Sequence, residues 1–310
     1  VTDPRCAAIS ADIGEPEAGT ATTAAAWVCL EQPGPWGRDA LTQSHLDPVL
    51  GAELARRAAA TGVRVLLIRR PGRHADTHQA APRRVYIAAT TPGRPWLEQA
   101  DIAGPEALLD LDFAALGAGH PAGFGVPVSG PLLMVCTNSR RDACCALRGR
   151  PLVEDLAAAR PGAVWECTHT GGHRFAPTGV LLPTGYLYGR LDTAFAARLL
   201  DQAAVGHVVT ERCRGRSTHA PHGQAAELAV RDHIGEHRDV LTVHHDTERD
   251  DADRDDTVRR TTVHHSDGRS WRVTVDTRDL PAARPASCGA VPTRDTELVV
   301  TAVEDLVPVA

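Results

Sequence analysis

Two apolar, strand-sized runs each open into a loop carrying soft metal ligands, and this pairing constrains the chain more than any other feature. Leu132-Leu133-Met134-Val135 leads into Cys136, and Cys144-Cys145 follow after a polar spacer. Val164-Trp165-Glu166-Cys167 leads into Thr168-His169-Thr170-Gly171-Gly172-His173. Half of the eight cysteines and a close histidine pair thus fall within fewer than forty residues. Thiolate and imidazole are the side chains that bind zinc or iron–sulfur clusters, and glycines let backbone crowd a bound group. Loops at neighbouring strand ends of a parallel layer converge in space. Cys136, Cys145, His169 and His173 are therefore four candidate ligands for one site, with Gly171 and Gly172 beside them.

The surrounding pattern is α/β. Trp27–Leu30 reads as a buried strand, Leu50–Ala60 as a helix with Leu50, Leu54 and Ala58 on one face, and Val63–Ile68 and Val85–Ala88 as further strands. A Gly/Pro-dense stretch at 117–130 marks a boundary. Beyond it come the first cysteine strand, a helix near Leu152–Ala159, the histidine strand, a hairpin of Val180–Leu182 with Tyr186–Tyr188, and a helix around Thr193–Ala203. A thioredoxin-like layer has this core order. Another helix is expected at Gln224–Asp232, and the tail reads as β-rich from its strands at 240–243, 261–263, 270–275 and 298–303. The expected organisation is an N-terminal α/β domain (1–125), a thioredoxin-like domain (126–235) and a β-rich C-terminal extension (236–310). The first twenty residues read as a loose lead-in.

Composition excludes several classes. A chain of 310 residues that is 43% hydrophobic and 23% charged has the makeup of a globular protein. No apolar run approaches the roughly 18 residues of a membrane span, and no secretory signal is visible, so a cytoplasmic location is expected. All 33 basic residues are arginine and the net charge is −6, so no basic domain for nucleic acid is apparent. Cysteines clustered in such a chain point to metal or redox chemistry rather than a disulfide framework. Cys6, Cys29, Cys213 and Cys288 lie scattered and read as buried or incidental thiols.

The residues alone leave the bound group open. The His169/His173 spacing suits zinc, although an eight-residue gap between cysteines is wider than zinc modules use. Cys167-Thr168-His169 is half of a Rieske pairing, without the matching Cys-x-x-His. Vicinal Cys144-Cys145 could support thiol redox chemistry, without Cys-x-x-Cys. His244-His245 and His264-His265 read as exposed strand histidines, and Cys213 with His219 and His222 is a weaker metal candidate. No phosphate loop, dinucleotide fingerprint or serine nucleophile elbow is present.

The run Cys136…Arg141-Asp142-Ala143-Cys144-Cys145, followed by His169-Thr170-Gly171-Gly172-His173-Arg174-Phe175-Ala176, resembles the signature of the sucrase/ferredoxin-like family. Glu31–Arg38 and Tyr188–Leu191 extend the likeness, which covers roughly residues 25–235. The resemblance implies a thioredoxin-like ferredoxin holding a two-iron, two-sulfur cluster through Cys136, Cys145, His169 and His173. It implies an electron carrier or redox protein rather than a hydrolase, with donor and acceptor proteins as partners. Two thiolates and two neutral imidazoles would leave an oxidised two-iron core neutral, which favours electron uptake relative to an all-cysteine site. Imidazole nitrogens could also couple that uptake to a proton.

Overall fold

The computed structural model describes residues 5–72, 82–245 and 258–306. The chain begins with helix α1 (Cys6–Asp12), which buries Cys6, Ala7 and Ser10. This corrects the loose lead-in: the segment is alanine-rich and lacks a long apolar stripe, so its packing was not visible as periodicity.

The first half then runs β1 (Ala26–Glu31), α2 (Pro48–Ala58), β2 (Val63–Arg69), β3 (Arg83–Ala89), β4 (Trp96–Ile102), α3 (Phe113–Gly117) and the short β5 (Val126–Pro127). Helix α2 starts where Asp47 accepts from the backbone N–H groups of Val49 and Leu50, with Pro48 in the first turn. The second half repeats the plan with β6 (Leu132–Cys136), α4 (Ala143–Ala159), β7 (Val164–Cys167), β8 (Gly179–Leu182), β9 (Tyr186–Tyr188) and α5 (Thr193–Ala204). β10 (Cys213–Arg216) and α6 (Pro221–Ile234) follow.

All ten strands belong to one mixed sheet, in the order β10-β9-β8-β6-β7-β2-β1-β3-β4-β5. In each half the first strand runs parallel to the second and antiparallel to the third, giving β2-β1-β3-β4 and β7-β6-β8-β9. The chain is therefore a structural duplication that no short sequence repeat announces. The halves meet where β2 and β7 pair antiparallel through Ile68↔Cys167 and Arg69↔Glu166.

Alternation along the strands sorts the core into layers. Val28 and Leu30 of β1 pack under α2 and α3, while Leu133 and Val135 of β6 pack against α4 and α5 residues. The other face, carrying Trp27, Cys29, Leu66, Met134, Cys136 and Trp165, forms one cluster common to both halves. Tyr86 of β3 meets Trp165 of β7 edge to face with ring centroids 5.5 Å apart. A flat sheet would hold those strands about 14 Å apart, so the sheet bends and its two halves share an inner core. Cys136 lies in that shared core.

The tail forms a separate four-stranded antiparallel sheet of β11 (Leu241–His245), β12 (Val258–His265), β13 (Ser270–Asp279) and β14 (Thr296–Leu306). Trp271, Val273 and Val275 alternate inward against Ala225, Ala226 and Val230 of α6. The β-rich reading of this region therefore corresponds to the fold, and residues 246–257 between β11 and β12 lie outside the described residues. β4, β5, β10 and α3 were not anticipated. Mixed burial along Trp96–Ile102 and a two-residue β5 left little pattern to find.

Candidate metal centre

Cys136 is the last residue of β6 and is fully buried. The backbone leaves the strand pinned at two points: the Cys136 N–H donates to Thr178 O at 2.9 Å, and the Thr137 N–H to Cys167 O at 3.1 Å. Asp142 then caps α4, its Oδ1 accepting from the Cys144 N–H at 2.8 Å. The polar spacer is exposed at Ser139, Arg140 and Ala143, whereas Thr137, Asn138 and Asp142 are buried. The helix starts at Ala143 rather than near Leu152 and carries Pro151 inside it. The capping aspartate before Ala143 is the sequence signal for the earlier start.

Both vicinal cysteines therefore sit in the first helical turn, where successive side chains point about 100° apart. Cys145 turns to the shared core and interacts with Cys136. Cys144 turns the other way, with its sulfur 3.7 Å from Cys6 Sγ and 3.3 Å from Cys288 Sγ.

His169 and His173 lie after β7, their ring centroids 5.3 Å apart and tilted by 35°. Gly171 and Gly172 adopt φ of +85° and +68°, a region glycine enters at no steric cost. Packing requires glycine there as well: a Cβ on Gly171 would come within 2.1 Å of Thr22 Oγ1, and one on Gly172 within 2.3 Å of Arg214 Nη2. Buried Arg214, from β10, donates to Gly171 O at 3.0 Å, and Thr22 donates to Thr170 O at 2.8 Å. Burial draws the Arg214 guanidinium down to about 10. Arg214 and Thr22 are thus the residues that set the histidine loop.

Electrostatically, the Cys136 thiol is held well below its usual range, first by hydrogen bonding with Cys145 and then by His169, against burial. The Cys145 thiol moves the opposite way, raised first by the same hydrogen bond with Cys136 and then by burial. Burial pushes the Cys167 thiol up. Burial also lowers His173, opposed by Asp142 and by a hydrogen bond with the Ala286 backbone, so a neutral imidazole is favoured. His173 Nε2 stands 3.9 Å from Asp142 Oδ2.

These residues fit a soft-metal group. The Nδ1 atoms of His169 and His173 are both buried without a hydrogen-bond partner, a costly state for polar nitrogen. Two imidazoles on a tetrahedral metal, with bonds of about 2.1 Å, place their ring centroids about 5 Å apart, close to the observed separation. Ala286 and Asp142 lie where the outer partners of a ligating histidine are found. The histidines are partly exposed while both cysteines are buried.

Other histidines and cysteines have separate roles. His265, expected to be exposed, is buried and pairs with Glu236 at 3.0 Å; the alternating pattern misled because α6 and its following turn cover that face. His244 and His264 stack edge to face at 4.8 Å. His219 lies 3.7 Å from Glu227, and Cys213 is buried in the core. Cys29 and Cys213 are buried thiols as expected, but Cys6 and Cys288 are not incidental. Within the described residues they converge on Cys144 and Asp142, with all four ligand atoms within 4.8 Å of one another. Their sequence separation of 282 residues gave no spacing signal. The hydrogen bond from Cys6 draws the Cys144 thiol down to about 6.

The bent α/β sheet thus carries a buried cysteine pair beside two partly exposed histidines. The sucrase/ferredoxin-like family model matches residues 18–215, so the chain belongs to that family. Comparison with curated proteins and with solved structures gives no match. Among the described residues no helix is long and apolar enough to cross a membrane.

Proposed function

We propose that this protein transfers single electrons through a two-iron, two-sulfur cluster, with Cys136 and Cys145 as ligands to one iron and His169 and His173 as ligands to the other. When bound, such a cluster supplies a one-electron couple whose potential follows its ligand charge and hydrogen bonding. The observation carrying this reading is the juxtaposition of the Cys136–Cys145 pair with two imidazoles whose buried Nδ1 atoms lack partners. Family membership supports a redox role. The strand order β7-β6-β8-β9, with α4 following β6, supports reading residues 126–235 as a thioredoxin-like unit. On this reading 1–125 is its duplicated α/β companion and 236–310 a β-rich extension.

The chain's own residues divide the work. Cys136 and Cys145 supply the anionic charge from the buried core. His169 and His173 form the edge nearest solvent, so donor and acceptor proteins dock over the histidine loop. Ala286 and Asp142 orient His173, whose ring nitrogen can carry a proton when charge at the site changes. Arg214 and Thr22 hold the loop in place. Arg174, beside His173, is committed to Glu15 at 2.7 Å, whereas Arg140 and Arg150 are exposed.

Separate replacement of the vicinal cysteines tests the assignment. In protein purified without air, Cys145→Ala should abolish the red-brown absorption and the bound iron, and Cys144→Ala should keep both. Retention of colour and iron in Cys145→Ala would exclude the ligand set. A colourless wild-type protein carrying zinc on these four residues would replace electron transfer by a structural role.

A further inference from the structure

Three cysteines from remote parts of the chain meet beside the candidate centre. Cys6 opens α1, Cys144 lies in the first turn of α4, and Cys288 lies between β13 and β14. The three sulfurs are 3.7 Å (Cys6–Cys144), 3.6 Å (Cys6–Cys288) and 3.3 Å (Cys144–Cys288) apart. Asp142 completes the group, with Oδ1 3.2 Å from Cys288 Sγ and Oδ2 3.6 Å from Cys6 Sγ. Cys6 and Cys144 are fully buried, and the Asp142 side chain is 1% exposed.

The distances select among chemistries. All three thiols are free, and each sulfur pair is far outside the roughly 2.05 Å of a disulfide. A tetrahedral ion with metal–sulfur bonds of about 2.3 Å has edges of about 3.8 Å between sulfurs and about 3.6 Å from sulfur to a carboxylate oxygen. The observed triangle lies slightly inside those values, so small outward shifts would admit one ion. A polynuclear cluster would spread its ligands too widely for donors that all lie within 4.8 Å of one another.

The carboxylate is built into place. Asp142 Oδ1 accepts from the Cys144 N–H and Oδ2 from the Cys288 N–H, both at 2.8 Å. Two backbone donors from different segments thus fix its orientation toward the sulfurs, as outer partners do for metal ligands. The Ala7 N–H donates to Cys144 and the Cys6 N–H to Cys288, which offsets the negative charge gathered there.

We propose that Cys6, Cys144, Cys288 and Asp142 form a second metal site, holding one zinc ion as a structural clasp. Four protein ligands leave no open position, which suits a structural zinc rather than a catalytic one. The clasp ties α1 and the segment before β14 to the start of α4, one residue from Cys145. Through Ala286 it also steadies the support of His173. The inference stands on sulfur and oxygen geometry alone and does not require the iron–sulfur reading.

Metal analysis of the full-length protein tests it. Wild type should carry one zinc per chain in addition to any iron, and Cys288→Ser should lose that zinc while its iron content is retained. Cobalt(II) added to chelator-stripped wild-type protein should give thiolate-to-cobalt charge-transfer absorption and tetrahedral ligand-field bands. The same titration of Cys288→Ser should weaken binding at least tenfold. Absence of both zinc and the cobalt spectrum in wild type would overturn the proposal, as would a disulfide among these thiols detected by alkylation and mass spectrometry under non-reducing conditions. A Cys288→Ser protein that keeps its zinc would also overturn it, whereas a wild type that carries the zinc but no iron would count against the iron–sulfur assignment alone.

Discussion

Glu166 and Arg69 join the two halves of the sheet, and replacing Glu166 measures how much that junction matters. Arg69 donates to Glu166 Oε2 at 2.6 Å through Nη2 and at 3.0 Å through Nε. Thr137, the residue after Cys136, donates to the same oxygen at 2.6 Å. The Arg69 and Glu166 side chains are only 11% and 3% exposed, so this is a buried pair rather than a surface bridge. Arg69 also stacks over Trp36 at 4.3 Å and donates to Gly34 O, while Asn138 reaches Gly37 O at 3.1 Å. The Glu31–Arg38 motif of the first half is thereby held against the cysteine loop of the second. Removing one partner of a buried ion pair costs about 3–5 kcal/mol, and the lost Thr137 bond adds about 1 kcal/mol. Glu166→Ala should therefore lose about 4–6 kcal/mol in urea unfolding. The double variant Arg69→Met/Glu166→Leu should recover most of that, because an apolar pair of similar volume removes the uncompensated charge. A single-variant loss below about 1 kcal/mol, or a double variant as unstable as the single, would refute the coupling.

Three further outcomes follow from the same geometry. Glu227 is fully buried against Arg231 and Tyr186; burial pushes its carboxyl up, but Arg231, His219 and Arg216 more than offset this and hold it below its ordinary value. Its contribution is present above the unfolded glutamate value of about 4.3 and is lost as pH falls through the folded value, so Glu227→Gln should flatten the acid limb of the stability–pH curve and cost about 2–4 kcal/mol at pH 7; an unchanged acid limb would contradict this. Gly172→Ala should destabilise by about 1–3 kcal/mol through its left-handed backbone and displace Arg214, whereas Gly123→Ala, also at positive φ but with nothing within 4 Å of its added Cβ, should show the backbone cost without disturbing iron content. His173→Cys should retain the cluster and lower its reduction potential by on the order of 100 mV, because a neutral ligand becomes anionic; protein-film voltammetry showing an unchanged potential would remove His173 from the ligand set.

Strong local signals made the strands of both halves legible. Trp27–Leu30, Val63–Ile68, Leu132–Val135 and Val164–Cys167 are apolar runs, and they correspond to β1, β2, β6 and β7. Ser270–Val275 alternated cleanly because one face packs on α6. Cys136, His169 and His173 stood out as candidates because they end or closely follow such strands, whereas Cys145 lies in the first turn of α4. What was missed is long-range. The bend that lets Tyr86 meet Trp165 and the meeting of Cys6 with Cys288 involve contacts that no local window records. Asp142 was readable in principle, since an aspartate before a helix start is a cap, but the expected helix began only near Leu152. The duplication was invisible because the two halves share strand order rather than residues: the loop after β1 carries Pro33-Gly34-Pro35 where the loop after β6 carries Asn138 and the cysteine spacer.

The most direct measurement is iron and acid-labile sulfide analysis of anaerobically purified protein, with electron paramagnetic resonance after dithionite reduction. The account predicts two irons and two sulfides per chain and an S = 1/2 signal whose linewidth responds to ¹⁵N-histidine labelling. A protein without sulfide, or a signal indifferent to histidine labelling, would contradict it.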